Sequence, residues 1–377
     1  MTVVQHSLIE SMDEVSSVLR SVQTDRLFLV VDKPAWLASG AKEILEPLFL
    51  QTATNWFTDF ELNPKLEDVE RGIETYRKCQ PDLVIALGGG TAIDLAKLIG
   101  SLAAQTASAR DIATNRASIE APGKPLMAIP TTAGTGSEAT HFAVVYVDGD
   151  KYSVAHPSLL PRYAVVDSRL TTSLPKRITA ATGLDAFCQA IESMWSVAAT
   201  EESMRYATEA ARLAFGNLVT ATNSPTPEAR KAMSSASHLA GKAINITKTT
   251  ASHALSYALT SQQGVPHGMA VALTLAPMLA FNAEVNDEDC NDPRGAVAVR
   301  DRISLILDIL GADNIDDARA SITNLLLQID CPVKFEAVGV KTFDELKCIV
   351  DSVNAERLSN NPRRASQNQL FHLLQTV

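Results

Sequence analysis

Four side chains suited to metal binding sit at telling intervals in the second half of the chain. Asp185 and Gln189, in Gly183-Leu184-Asp185-Ala186-Phe187-Cys188-Gln189, are four apart, so on a helix they share one face, one turn from each other. His253 and His267 follow, in Ser252-His253-Ala254 and Pro266-His267-Gly268. On one continuous helix these imidazoles would lie roughly 21 Å apart at about 1.5 Å rise per residue, too far to share an ion. Gly264 and Pro266 interrupt such a helix just before His267, so the chain can turn back and present both rings to one point. A carboxylate, two imidazoles and an amide oxygen make a site for a divalent cation, Fe(II) or Zn(II), with room for a substrate oxygen. Taken singly, each residue also reads as a core histidine or a helix N-terminal acid. The other five of the seven histidines, His6, His141, His156, His238 and His372, have no comparable setting.

A second chemistry is written into the first half. The apolar run Leu83 to Leu87 leads straight into Gly88-Gly89-Gly90-Thr91, followed by Asp94 and Lys97. Three residues without Cβ let backbone N–H groups approach a pyrophosphate, and the N-terminus of the following helix adds partial positive charge there. A tight strand-to-helix turn also favours glycine but rarely needs three. The spacing is not GxGxxG. A second loop, Pro130-Thr131-Thr132-Ala133-Gly134-Thr135-Gly136-Ser137-Glu138-Ala139-Thr140, packs hydroxyls around two glycines; alone it reads equally as a solvated turn, and paired with Gly88 to Gly90 it becomes the expected second wall of a dinucleotide site. Asp32, just after the run Leu27 to Val31, is placed to accept from a ribose hydroxyl and to repel a 2′-phosphate, which favours NAD over NADP; a solvated loop aspartate is the other reading. Asp94 and Lys97 read as an exposed helix pair, or Asp94 as a contact near the nicotinamide end.

These loops need a scaffold. Short β-branched runs, at 27–31, 52–60, 83–87 and 126–129, alternate with amphipathic stretches at 34–48, 65–79 and 91–104, the pattern of a parallel sheet covered on both faces. From Thr179 the character changes to alanine-rich segments of helical period, and only seven of the 18 glycines lie beyond Gly183. The expected fold is therefore an α/β, Rossmann-like parallel-sheet domain over 1–179 followed by an all-helical domain over 180–377, with a ligand cleft between them. A chain of 377 residues, 46% apolar and 20% charged, has ample core without disulfides. Its net charge of −10 argues against nucleic acid, and the five cysteines, without a CxxC pair or a leading signal segment, predict a cytoplasmic protein. The longest uncharged run, 265–283, carries two prolines and a histidine, so no membrane span is expected.

Gly88-Gly89-Gly90-Thr91 with Asp94 and Lys97, the 130–138 loop, Ala180-Ala181-Thr182-Gly183-Leu184-Asp185-Ala186 and Pro266-His267-Gly268 together resemble the iron-containing (group III) alcohol dehydrogenase family, in the family's order and over nearly the whole chain. The resemblance implies that Asp185, His253 and His267 ligate the metal. It implies that Asp32, Gly89, Gly90, Thr91, Asp94, Thr131, Thr132, Thr135 and Lys151 hold NAD(P), with Gly88 and Ser137 in the same loops, and that the chain pairs as a homodimer. Two positions depart from the pattern. Gln189 stands where the family usually has histidine, a neutral and weaker ligand, and Tyr257 stands where many relatives carry another histidine near the substrate. Tyr257 reads either as a proton relay or as a packed aromatic.

Within the family, Gln189-Ala190-Ile191-Glu192-Ser193-Met194-Trp195-Ser196 and Lys248-Thr249-Thr250-Ala251-Ser252-His253 look most like the phosphonoacetaldehyde reductase branch. Lys248, Thr249, Thr250 and Ser252 lie close in sequence to a metal ligand and together could clamp a phosphonate or sulfonate, although lysines at helix ends are most often solvated. The expected activity is metal-assisted, NAD(P)H-dependent reduction of a small aldehyde, phosphonoacetaldehyde first, with sulfoacetaldehyde or an uncharged short aldehyde as alternatives. A dehydroquinate synthase-like lyase would want basic residues for a phosphorylated polyhydroxy acid that this sequence does not supply. A non-catalytic binding protein that had lost its metal is the third reading, motivated by Gln189.

Overall fold

The computed structural model describes residues 6–22, 24–50, 52–353 and 355–377. It separates into two compact units, Met1–Leu174 and Pro175–Val377. The first contains β1 (Ser7–Ile9), α1 (Val15–Val22), β2 (Arg26–Val31), α2 (Lys33–Ala38), α3 (Ala41–Phe49), β3 (Ala53–Phe57), α4 (Leu66–Cys79) and β4 (Leu83–Gly88). It continues with α5 (Gly90–Leu102), α6 (Ala109–Ala113), β5 (Leu126–Pro130), β6 (Phe142–Val147), β7 (Asp150–Ala155) and β8 (Tyr163–Val165). Six strands form one parallel sheet in the order β1-β8-β5-β4-β2-β3, and β6 and β7 form a separate antiparallel hairpin.

The runs Leu27 to Val31 and Leu83 to Leu87 are apolar at every position because both of their faces are covered. Phe28, Val30, Val84 and Ala86 point into a core shared with α4 and α5, where Val69, Ile73, Ile93 and Ile99 meet them. Their neighbours Leu27, Leu29, Leu83 and Ile85 point the other way, onto Trp36, Leu45 and Phe49 of α2 and α3. The expected helix over 34–48 is two helices, because Gly40 takes φ 79° and turns the chain between them. The strand expected over 52–60 is shorter, Ala53–Phe57. The three-residue strands β1 and β8 and the hairpin β6–β7 were not expected from the sequence, although β6 reads Phe142-Ala143-Val144-Val145-Tyr146-Val147, an apolar run that the sequence reading passed over.

The second unit holds only helices among its described elements: α7 (Lys176–Trp195), α8 (Glu201–Asn223), α9 (Pro227–Thr247), α10 (Ala251–Gln263), α11 (His267–Ala283), α12 (Ala296–Leu310), α13 (Ile315–Gln328), α14 (Phe343–Asp351), α15 (Ala355–Ser359) and α16 (Gln367–Leu374), besides a short 3-10 turn. Helix α7 starts after Pro175, so the boundary expected after residue 179 falls inside it. From Gly183 to Trp195 every residue of α7 is buried, since α8, α9 and α11 surround it. Its low amphipathicity is the sequence trace of that position. Polar side chains in such a helix need partners, and in that stretch they are Asp185, Gln189, Glu192 and Ser193. Among the described residues no helix is long and apolar enough to cross a membrane, and all five cysteines are free.

Candidate functional site

In the first unit the chain runs outward from β2 to β3 and then crosses to the other side of β2 to form β4, so the strand order reverses between β2 and β4. Open parallel sheets bind ligands at the carboxyl ends of the strands flanking such a point. Asp32 follows β2, Gly88-Gly89-Gly90 follows β4, and Thr131 follows β5, and the three loops are laced together. Asp32 N donates to Leu87 O at 2.9 Å and Thr131 N to Gly88 O at 3.0 Å. Gly88 takes φ 149°, and a Cβ there would come within 2.8 Å of both Asp32 Cβ and Ala92 Cβ. A Cβ on Gly89 would meet Thr132, and one on Gly90 would lie 2.8 Å from Thr135 Cγ2, so the hydroxyl-rich loop does close over the glycine turn. Helix α5 begins there with no side-chain cap on its first N–H groups, which is what a pyrophosphate needs.

The remaining residues assigned to the cofactor divide. Thr91 Oγ1 accepts from Asn63 N at 3.2 Å, and the Asp32 carboxylate caps α2 through Ala35 N at 3.3 Å. Ser137 is buried, with its N donating to Thr135 Oγ1 at 3.3 Å. Lys151 lies on β7 opposite Tyr146. Asp94 and Lys97 are not an exposed pair. Both are buried because β6 packs over α5: Asp94 Oδ2 accepts from Val144 N at 2.9 Å, and Lys97 Nζ donates to Thr140 Oγ1 at 2.9 Å and Phe142 O at 2.8 Å. Burial pushes the Lys97 ammonium down to about 8 against the pull of Asp94 and Glu138, and pushes the Asp94 carboxyl up. Lys97 thus latches the far end of the 130–140 loop to the helix that starts at the glycine turn.

In the second unit, α10 ends at Gly264 in the left-handed conformation, φ 66°, and Pro266 starts α11, so the two helices fold back on each other. The His253 and His267 rings come to 5.4 Å between centroids. Both aim Nε2 at Asp185: 3.3 Å from Asp185 Oδ1 for His253 and 3.9 Å for His267. One donor atom from each of the three lies within 4.8 Å of the others. A carboxylate and two imidazoles at that span fit a divalent cation. Gln189, one turn along α7 from Asp185, is buried on the same helix. Gly268 brings α11 close: a Cβ there would lie 2.0 Å from Ala181 O and 2.7 Å from Asp185 N.

Burial disfavours charge on His253, yet the Glu192 and Asp185 carboxylates outweigh it and push the imidazole up to about 10. A cation held by His253 would have to compete with that proton. Tyr257 stacks on His267, with centroids 6.3 Å apart and 17° between planes, so it sits beside the cluster. The candidate substrate residues are less uniform than their adjacency suggests. Lys248 is exposed at the end of α9, with φ 57° and ψ −173°. Thr249 is buried, and Ser252 is fully buried with no hydrogen-bond partner for Oγ. Thr250 is committed inside: its hydroxyl donates to Glu192 Oε1 at 2.6 Å and accepts from Trp195 Nε1 at 2.8 Å. Glu192 is the residue that the sequence reading missed. Its only signal there is its position, about two turns past Asp185 on the same helix.

Residues 6–168 match the family Iron-containing alcohol dehydrogenase, and residues 179–377 match Fe-containing alcohol dehydrogenase family, C-terminal. Phosphonoacetaldehyde reductase from Streptomyces viridochromogenes is 35% identical over 308 residues, 79% of this chain and 76% of its own. Sulfoacetaldehyde reductase from Bilophila wadsworthia is 29% identical over 377 residues, 96% of this chain and 94% of its own. The solved structure of sulfoacetaldehyde reductase from Bifidobacterium kashiwanohense in complex with NAD+ superposes with a TM-score of 0.88 at 29% identity, covering 100% of this chain and 97% of that one.

Proposed function

The chain belongs to the iron-containing alcohol dehydrogenase family and is an NAD-dependent alcohol dehydrogenase or aldehyde reductase, and from that premise we propose that it reduces phosphonoacetaldehyde to 2-hydroxyethylphosphonate. The observation that carries the chemistry is the convergence of Asp185, His253 and His267. We assign them, with Gln189 as a fourth ligand, to a divalent cation, Fe(II) or Zn(II). Such a cation supplies Lewis-acid polarisation of a carbonyl, and reduced nicotinamide supplies hydride. Asp185 contributes the one negative charge among these four side chains, so the site keeps net positive character toward developing negative charge on a substrate oxygen. Tyr257, whose ring stacks on His267, is the side chain we assign to return a proton to the product; water or a ribose hydroxyl are the competing donors.

The anionic substrate class rests on Lys248. Its left-handed φ is costly for a residue with a Cβ, and backbone strain of this kind concentrates at functional sites. With Thr249 and Ser252 as neighbours it is our candidate for the phosphonate. Sulfoacetaldehyde is the second reading, favoured by the near full-length similarity to the Bilophila wadsworthia enzyme. The test is to follow NADH oxidation with phosphonoacetaldehyde, sulfoacetaldehyde and acetaldehyde. One charge-assisted contact is worth about 1.5–3 kcal/mol, so kcat/KM for the preferred anion should exceed that for acetaldehyde by roughly 10- to 100-fold. Equal values for all three would remove the anion reading and leave the reductase.

For the coenzyme we assign Asp32, Gly88, Gly89, Gly90, Thr91, Asp94, Thr131, Thr132, Thr135, Ser137 and Lys151, with NAD preferred through the Asp32 carboxylate. Replacing Asp32 by alanine should raise the NADPH-to-NADH ratio of kcat/KM by about 10-fold, and losing the α2 cap should cost about 1 kcal/mol of stability. An unchanged coenzyme ratio would reduce Asp32 to a helix cap. We further propose that the protein works as a cytoplasmic homodimer and binds neither nucleic acid nor membrane, in keeping with its free cysteines and net charge of −10.

A further inference from the structure

The Glu192 side chain has no exposed surface, and its two oxygens have different tasks. Oε1 accepts from three donors: Thr250 Oγ1 at 2.6 Å, Thr250 N at 3.1 Å and His253 N at 3.3 Å. Oε2 meets His253 Nδ1. The donors around Oε1 cannot turn away, since two are backbone N–H groups at the start of α10. The third, the Thr250 hydroxyl, already accepts from Trp195 Nε1 and so must point its proton at Glu192.

Resting on the metal reading above, we infer that Glu192 is the positioning residue that sets the tautomer of His253. A carboxylate has no proton to offer, so Nδ1 must carry one, which reserves the Nε2 lone pair for a cation shared with Asp185, as a ligand requires. The surroundings of His267 differ: its Nδ1 lies 3.4 Å from Ser256 Oγ, whose own proton goes to His253 O at 2.7 Å, and its side chain is 32% exposed against 5% for His253.

Glu192→Gln tests this with little change in shape. Three donors around Oε1 oblige the amide to place its oxygen there, so its NH2 group faces His253 Nδ1. That ring must then accept at Nδ1 and carry its proton on Nε2, against the cation. Zn(II) affinity, measured by competition with a chromophoric chelator, should fall by about 10- to 100-fold in Glu192→Gln. It should change by no more than about threefold in Thr250→Val, which loses a structural hydrogen bond but keeps the carboxylate. Independently of any variant at Glu192, NMR of 15N-histidine-labelled, Zn(II)-loaded wild type should show His253 protonated at Nδ1, the signal being assigned by its loss in His253→Gln. Wild-type affinity in Glu192→Gln, an equal loss in Thr250→Val, or an Nε2-protonated His253 would each overturn the inference alone. A wild type that takes up no Zn(II) and no Fe(II) would overturn the metal reading beneath it.

Discussion

Replacing Asp185 by alanine will abolish cation retention and lower kcat/KM for aldehyde reduction by on the order of 10³-fold, the several kcal/mol that a Lewis acid contributes to stabilising developing negative charge. Asp185 is the anion around which both imidazoles are arranged, 3.3 Å and 3.9 Å from its Oδ1. Without it, His253, His267 and Gln189 offer only neutral donor atoms, and a divalent cation held by neutral donors alone is bound less tightly. Three measurements check this: metal content after purification, activity after chelation and dialysis, and activity after adding back Fe(II) or Zn(II). The wild type should lose activity on chelation and regain it on add-back, whereas Asp185→Ala should regain none. A variant that keeps its activity, or a stripped wild type that turns over NADH at the normal rate, would contradict the assignment.

The second large effect comes from a residue with no functional group. A methyl at Gly268 would lie 2.0 Å from Ala181 O and 2.7 Å from Asp185 N, and these obstacles are backbone atoms of α7 that cannot swing aside. The start of α11 must then move away from α7, carrying His267 with it. Overpacking of this kind costs about 1–3 kcal/mol and occasionally more, so Gly268→Ala should lower the melting temperature by roughly 2–12 °C and weaken metal binding together with it. Gly264 supplies the comparison, because nothing lies within 4 Å of a Cβ there and only its φ of 66° is strained. Gly264→Ala should lose stability with a smaller loss of metal affinity. If the two variants bound metal equally well, close helix approach would not be what sets the distance from His267 to Asp185.

Much of the scaffold was legible because its causes are local. The apolar runs at 27–31 and 83–87 announced buried parallel strands, and three consecutive glycines announced the close turn from β4 into α5. Gly264 and Pro266 announced a broken helix between the histidines. The misreadings have physical reasons as well. Asp94 and Lys97, three apart on a helix, look solvated, yet β6, distant in sequence, covers them. Thr250 looks like a ligand-facing hydroxyl among several, yet Trp195 and Glu192 hold it inside. Glu192 was passed over because an acid in a helix is ordinarily exposed, and only the enclosure of α7 on all sides makes this one a buried partner of His253.

The amino-acid order by itself determined the kinds of element, the places where they turn, and the inventory of side chains able to do chemistry, since periodicity, glycine and proline act over a few residues. Tertiary packing decided which members of that inventory meet. Asp185 and His253 are 68 positions apart, and their approach depends on the packing of α7, α10 and α11, with Gly268 letting α11 rest against α7. Contacts across such separations come from the close packing of whole helices, a property that no short stretch of chain contains.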